Sequence, residues 1–285
     1  MRQRAGGWRA QRRRQVWGRT TLVVACALAL TAPVAWTVLA SFGIKPDGHR
    51  WPPGWTLPPS ADSYGEVMTA IPGFPRVFGT SVLLASTATV LTVGPAFLAA
   101  YSLARWRSRS RRLAVQAFLV LASLPTMAYV IPLRDLTRQI HLHDTFAGVT
   151  LASAAVYAPL AVYVLFGYLV QVPRALEEVA RLEGAGVLHI VWRVVAPAAA
   201  PGLAATAALV FVLDWNLFLV PTALTLNHVK TIPVALSDFY TYERELEWSN
   251  AAAALTVSLL PVAALAAFAH RLLERFSLSP TSEDT

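Results

Sequence analysis

One cysteine, two lysines and 16 acidic residues among 285 positions withhold the material for several common chemistries. The lone Cys26 excludes an intrachain disulfide and any cysteine-cluster zinc or iron–sulfur site built from this chain alone. Charged residues form 14% of the sequence against about a quarter in soluble domains, which argues against a water-soluble enzyme. No G-x-x-x-x-G-K-[ST] occurs, and neither Lys45 nor Lys230 follows a glycine, so no phosphate-cradling loop exists. G-x-S-x-G and H-E-x-x-H are also missing, which removes the commonest nucleophile and zinc-hydrolase signatures.

What the chain has instead is apolar length. Hydrophobic residues make up 55% of it and the mean hydropathy is +0.49. Uncharged stretches at 20–42, 79–104, 113–133, 145–173, 194–213 and 251–269 match the roughly 20 residues that cross a bilayer core. The fifth is expected to slide to 200–222, because Pro197 and Pro201 mark a helix entry and the apolar run resumes after Asp214 as WNLFLVPTAL. Lipid offers open backbone no partner, so these spans must be helical. The expected fold is an all-α membrane protein with six transmembrane helices, kinked at Pro33, Pro95, Pro125, Pro159 and Pro261.

The net charge of +8 comes from arginines that flank the apolar segments. They form no continuous basic face interleaved with aromatics, so nucleic acid is not the partner. Seven precede the first span (2, 4, 9, 12, 13, 14 and 19), resembling a signal-peptide start, but the apolar run is too long and no A-x-A-like cleavage site closes it. It reads as a retained anchor. With the N-terminus cytoplasmic, 17 bases fall inside and 7 outside, which satisfies the positive-inside rule and places both termini in the cytoplasm. The chain thus divides into a basic tail (1–19), a six-span body (20–272) and a C-terminal tail (273–285).

Outside, residues 43–76 form the longest loop, with Pro, Gly and Trp in WPPGWTLPPS. Trp51 and Trp55 read either as an aromatic belt at the membrane interface or as a docking surface for a soluble partner. The short outer HLHD, with His141, His143 and Asp144, has no clear fourth ligand for a metal and reads as a solvated turn.

The cytoplasmic loop at about 173–197 is too apolar and helix-prone for a passive connector, and it reads as helix, turn, helix. Pro173 suits a first turn, Glu177 and Glu178 follow, and Arg181 stands at pairing distance from both. Leu176, Val179 and Ala180 are expected to share a face. Gly184 is able to adopt the left-handed conformation that ends helices, and Ala185 and Gly186 keep the turn small for close approach of another surface. The loop either docks a protein or rests on lipid as an amphipathic hairpin.

LEEVARLEGAG followed by VVAP resembles the EAA loop of bacterial ABC importer permeases, with pattern E-A-A, three residues, Gly, nine residues, I-x-L-P. Glu178, Ala180, Gly184, Val194 and Pro197 stand at matching positions, with Val179 and Ala196 departing from the pattern. WPPGWTLPPSADSYGEVM, FVLDWNLFLVPTAL, TIPVALSDF and AAAALTVSLLPVAAL are similar to segments of the binding-protein-dependent carbohydrate permeases, the maltose-type second permease in particular. Thr80 and Leu217 depart from the residues usual at their positions, and the tail FSLSPTSEDT lacks the glycine-rich ending. The resemblance implies a type I importer permease in the bacterial inner membrane that forms half of a solute pathway for a sugar or sugar-like solute. It implies a second permease that is a different chain, two cytoplasmic ATPase subunits that carry ATP and Mg, and an extracytoplasmic solute-binding protein, with no cofactor on this chain. In that setting Glu177, Glu178, Ala180, Gly184 and Pro197 belong to the ATPase-coupling loop.

Asp214 is the other residue that stands out, because an acid inside an apolar span is costly and ordinarily faces a bundle interior or a water-filled cavity. With Trp215 and Asn216 it offers an aromatic face beside hydrogen-bonding groups, as a sugar pathway requires, or else a polar contact to a partner helix. The alternative from a different class is a polytopic membrane enzyme acting on a lipid-linked or small polar substrate without an ATPase.

Overall fold

The computed structural model describes residues 4–44, 58–70, 73–225, 228–237 and 248–277. Among them every regular element is helical: α1 (Arg4–Ser41), α2 (Asp62–Ala70), α3 (Phe74–Arg105), α4 (Ser110–Ala122), α5 (Val130–Gln139), α6 (Phe146–Leu169), α7 (Ala175–Leu182), α8 (Val187–Ala198), α9 (Ala200–Trp215), α10 (Leu219–Leu224), α11 (Ile232–Ser237) and α12 (Trp248–Ser277). Four stretches are long and apolar enough to cross a membrane unaided: Arg19–Ser41 within α1, α3, α6 and Trp248–Ala269 within α12. The helices α8 and α9 meet that criterion only together, and their directions differ by 78°.

The expected third span is not one helix. The run at 113–133 is broken after Ala122, passes through a 3-10 turn at Thr126–Ala128 and restarts as α5. Pro125 has no N–H to donate and pushes Leu124 out of helical backbone, so the helix ends there instead of bending. Pro33, Pro95, Pro159 and Pro261, in contrast, lie inside helices that continue through them. The fifth span starts at Ala200, as the slide toward 200 predicts, but it ends at Trp215, and α10 is a separate short helix.

The chain divides into two compact units, one of Met1–Pro72 with Tyr242–Val257 and the other of Gly73–Thr241 with Ser258–Thr285. In the first, the Ser41 and Tyr64 hydroxyls lie 2.7 Å apart, and the Asn250 amide donates to Glu66 at 2.9 Å. Most of the Arg19–Ser41 surface packs on nothing else in the described chain, as suits a helix at a lipid or protein boundary.

In the second unit α3 and α6 form the spine, α9 lies against both, and α4 covers α6. Small residues make the close approach possible: Ala85, Ala88, Ala96 and Ala100 on α3 are buried, as are Ala152, Ser153, Ala154 and Ala161 on α6. Lipid is as apolar as leucine, so helix association in a bilayer rests on dispersion, with about 0.1–0.2 kcal/mol per well-placed atom pair. Phe97, Leu165, Leu169 and Ile190 fill one such cluster, and Leu84, Val149, Val220 and Leu224 fill another. Hydroxyls inside α3 are satisfied by their own helix: Ser81, Thr89 and Thr92 donate to the carbonyls of Val77, Ala85 and Ala88.

Candidate coupling loop and solute pathway

The loop folds as helix, turn, helix. Its first helix, α7, starts at Ala175, so Pro173 precedes the first turn instead of occupying it. The helix stops where Gly184 takes φ +86°, the left-handed conformation its sequence position predicts, and the Ala185 amide donates back to the Ala180 carbonyl at 2.9 Å. No atom lies within 4 Å of a Cβ built on Gly184 or Gly186, so this turn is open on its outer side. Beyond it α8 contains a π-helical stretch, Ile190–Val195, and Pro197 sits just before the bend into α9.

The two adjacent glutamates separate. Glu178 is exposed, whereas Glu177 is 3% exposed and faces into the chain. Its carboxylate accepts from Arg105 Nε at 2.5 Å and from the Tyr101 hydroxyl at 2.9 Å, and Arg181 Nη2 stands 3.6 Å away. The same Arg105 donates to the carbonyls of Leu169 and Val172, just at and beyond the C-terminal end of α6, and Arg174 donates to the carbonyl of Ala104. Cations at orphan carbonyls complement the helix dipole as well as the hydrogen bonding. The face expected of Leu176, Val179 and Ala180 does not hold together: Ala180 is buried with Glu177, while Leu176 and Val179 are exposed. The apolar surface left outward is Leu176, Val179 and Leu182, followed across the turn by Val187 and Leu188. Sequence reasoning missed Arg105 and Tyr101. Arg105 counted there only as an inward-topology charge, although an arginine closing an apolar span also signals a buried partner.

The second candidate group also separates. Asp214 is 4% exposed, and neither carboxylate oxygen has a hydrogen-bond partner among the described residues. Trp215 is buried beside it, packs edge-on to Phe78 and stacks with Phe211, and its indole N–H donates to the Ser258 carbonyl at 3.1 Å. Asn216 is exposed and donates to Val212 on its own helix. The Asp214 carboxylate is therefore enclosed within this chain, and Asn216 alone of the three presents polar atoms outward. Trp51 and Trp55 lie outside the described residues.

In the HLHD turn, His141 and Asp144 adopt φ values of 59° and 57°. Asp144 accepts from the His228 backbone at 3.3 Å and faces His228 Nδ1 at 3.2 Å, tying two loops together. Among the described residues no three His, Cys, Asp or Glu side chains are grouped to hold a metal.

Residues 96–277 match the family described as binding-protein-dependent transport system inner membrane component. The trehalose transport system permease protein SugB of Mycobacterium tuberculosis is 31% identical over 261 residues, covering 89% of this chain and 92% of that one. The trehalose/maltose transport system permease protein MalG of Thermococcus litoralis is 27% identical over 259 residues, with 89% and 93% covered. Among solved structures, a bacterial ABC transporter involved in the import of the acidic polysaccharide alginate superposes with a TM-score of 0.72 at 21% identity, covering 90% of this chain and 96% of that one. These matches lend no support to the membrane-enzyme alternative. The chain belongs to the binding-protein-dependent inner membrane transport components and is a permease subunit of an ABC importer.

Proposed function

We propose that this permease crosses the inner membrane six times with both termini cytoplasmic, pairs with a second permease, and imports a sugar or sugar-like solute delivered by an extracytoplasmic binding protein. Two cytoplasmic ATPase subunits, carrying ATP and Mg, drive it, one docking on residues 173–197 of this chain and the other on the second permease. The observation that carries this reading is the loop's construction: a helix held to the body by a buried carboxylate leaves Glu178, Leu182 and the open Gly184 turn outward. A mixed apolar and acidic knob of that kind fits a protein groove better than an anionic leaflet. The sugar assignment rests on relatives that are trehalose and maltose permeases. Closing of the ATPase subunits draws the docked loops together, and α6 and α9, continuous with the loop, tilt to alternate access.

In this reading Glu178, Ala180, Gly184 and Pro197 shape the dock, Asn216 and Asp214 with Trp215 belong to the pathway, and Trp51 and Trp55 meet the binding protein. The test is to tag the chain, extract it in mild detergent and identify what co-purifies, beside a Glu178→Ala, Gly184→Asp variant. Recovery of an ATPase and a second permease, with the ATPase lost from the variant, is expected. A parental chain that captures no ATPase even after crosslinking overturns the proposal. For the pathway, an assembled Asp214→Ala, Asn216→Ala variant that transports at the parental rate with unchanged selectivity removes those residues from it.

A further inference from the structure

Covalent continuity links α7 to only part of the body. Toward the N-terminus, residues 170–174 lead directly into α6; toward the C-terminus, α8 leads to α9 through a 78° bend. The long helix α3, which packs most extensively against α6, has no chain connection to the loop. Among the described residues it meets the loop through side chains: Phe97 packs against Trp192 of α8 with ring centroids 5.8 Å apart, and the contacts to α7 are polar. Tyr101 and Arg105 in its last turns both bond Glu177, and Arg174 returns a hydrogen bond to the Ala104 carbonyl. Arg105 also holds the Leu169 and Val172 carbonyls, so one guanidinium joins three elements: α3, the end of α6 and α7.

We infer that Arg105 and Glu177 are a positioning pair that fastens α7 to α3, so that displacement of α7 moves the second span directly. The inference rests on the docking reading above and assigns a separate task to residues that the docking partner does not touch. Glu177 is 3% exposed, so it is not available to an ATPase; Glu178 is. A buried ion pair is seldom the most stabilising solution for a packed site, and its best-attested use is to fix one arrangement among several. Reaching three acceptors on different elements requires the rigid planar fork of arginine, which a lysine ammonium does not supply. The cation also stands 5.7 Å from the Tyr101 ring centroid, which helps hold the guanidinium over α3.

The test uses the assembled importer in lipid nanodiscs. Cys26, the only cysteine and exposed, is replaced by serine, and spin labels are placed at Ser102→Cys on α3 and Ala175→Cys on α7, both exposed. The distance distribution is measured without nucleotide and after trapping with MgATP and vanadate. For the parental pair the distribution is expected to stay unchanged between the two states. In an Arg105→Met, Glu177→Gln variant, which removes both charges and keeps the approximate shape, trapping is expected to shift or broaden it while the ATPase is retained. Should that variant not assemble, Arg105→Lys decides by the same criterion. A parental distance that changes on trapping, or an assembled variant that behaves like the parent, overturns the pair. A parental chain that retains no ATPase overturns the docking reading first, and the positioning role with it.

Discussion

Gly148 lies in the first turn of α6, where the chain turns sharply out of the HLHD segment, and Gly148→Ala tests how tightly that turn is built. A Cβ at this position lies 1.9 Å from the Leu142 carbonyl oxygen and 3.1 Å from Thr145 Oγ1, against 3.4 Å for an ordinary contact. One of the two backbones must therefore move by more than an ångström, and neither end is free. The Thr145 hydroxyl donates to that same Leu142 carbonyl at 2.7 Å and accepts from the Gly148 amide at 3.0 Å as the N-cap of α6. Losing the cap costs about 1 kcal/mol. Forcing an extra carbon into a packed site costs about 1–3 kcal/mol more. A destabilisation of about 2–4 kcal/mol follows, which in a chain of this size corresponds to roughly 5–15 °C in midpoint temperature. The assay is thermal unfolding of the assembled importer followed by size exclusion, with Gly184→Ala as the comparison. Gly184→Ala meets no atom of this chain and bears, within the permease, the left-handed backbone cost of about 1–2 kcal/mol. A Gly148→Ala protein that unfolds within a degree or two of the parent, or above Gly184→Ala, refutes the reasoning.

Three further outcomes are expected. Arg105→Met alone leaves the Glu177 carboxylate enclosed without its strongest partner and is expected to destabilise by about 3–5 kcal/mol; adding Glu177→Gln should recover most of that loss, and strictly additive midpoints exclude the coupling. Gly202→Ala places a Cβ 2.5 Å from Tyr168 Cγ and 2.7 Å from its Cβ, a clash that no rotamer change clears, so a loss of about 1–3 kcal/mol that Tyr168→Ala relieves only in part is expected in the same assay. Asp214→Asn removes a buried carboxylate with no partner among the described residues, so unchanged or raised thermal stability is expected; a loss of several degrees reveals a partner for the charge.

Much of this fold is legible because a bilayer leaves few choices. The long uncharged runs at 79–104 and 145–173 become α3 and α6 with one end of each within a residue and the other four or five residues off, and Gly184 ends its helix with the positive φ that glycine tolerates. The failures have a common source in contacts distant along the chain. Counting uncharged residues at 113–133 measures apolarity but not backbone continuity, and Pro125 breaks that run while four other prolines are absorbed inside helices. Glu177 and Glu178 are adjacent letters with similar propensities, yet they point about 100° apart on a helix, and the side that turns inward is settled by Arg105, 72 positions earlier. Local spacing correctly anticipates the Glu177–Arg181 pairing, but the shorter contact comes from Arg105.

The segment from Val187 to Leu224 shows how a site is assembled across a helix break. A straight helix over that length would carry the loop's motion rigidly across the membrane. Pro197 and Pro201 each lack a backbone donor, and between them Ala199 leaves helical geometry, so the chain bends by 78°. Just past the bend, Gly202 lets α9 approach the Tyr168 ring more closely than any side chain would permit. The Ile190–Val195 π-helical stretch leading into the bend is a rare geometry of the kind frequent at functional positions. A push on α7 therefore reaches α9 turned through the bend, whereas it reaches α6 directly and α3 through Arg105. On this geometry the three helices need not tilt in the same direction, and the enclosed Asp214 stands at the far end of α9, past the bend.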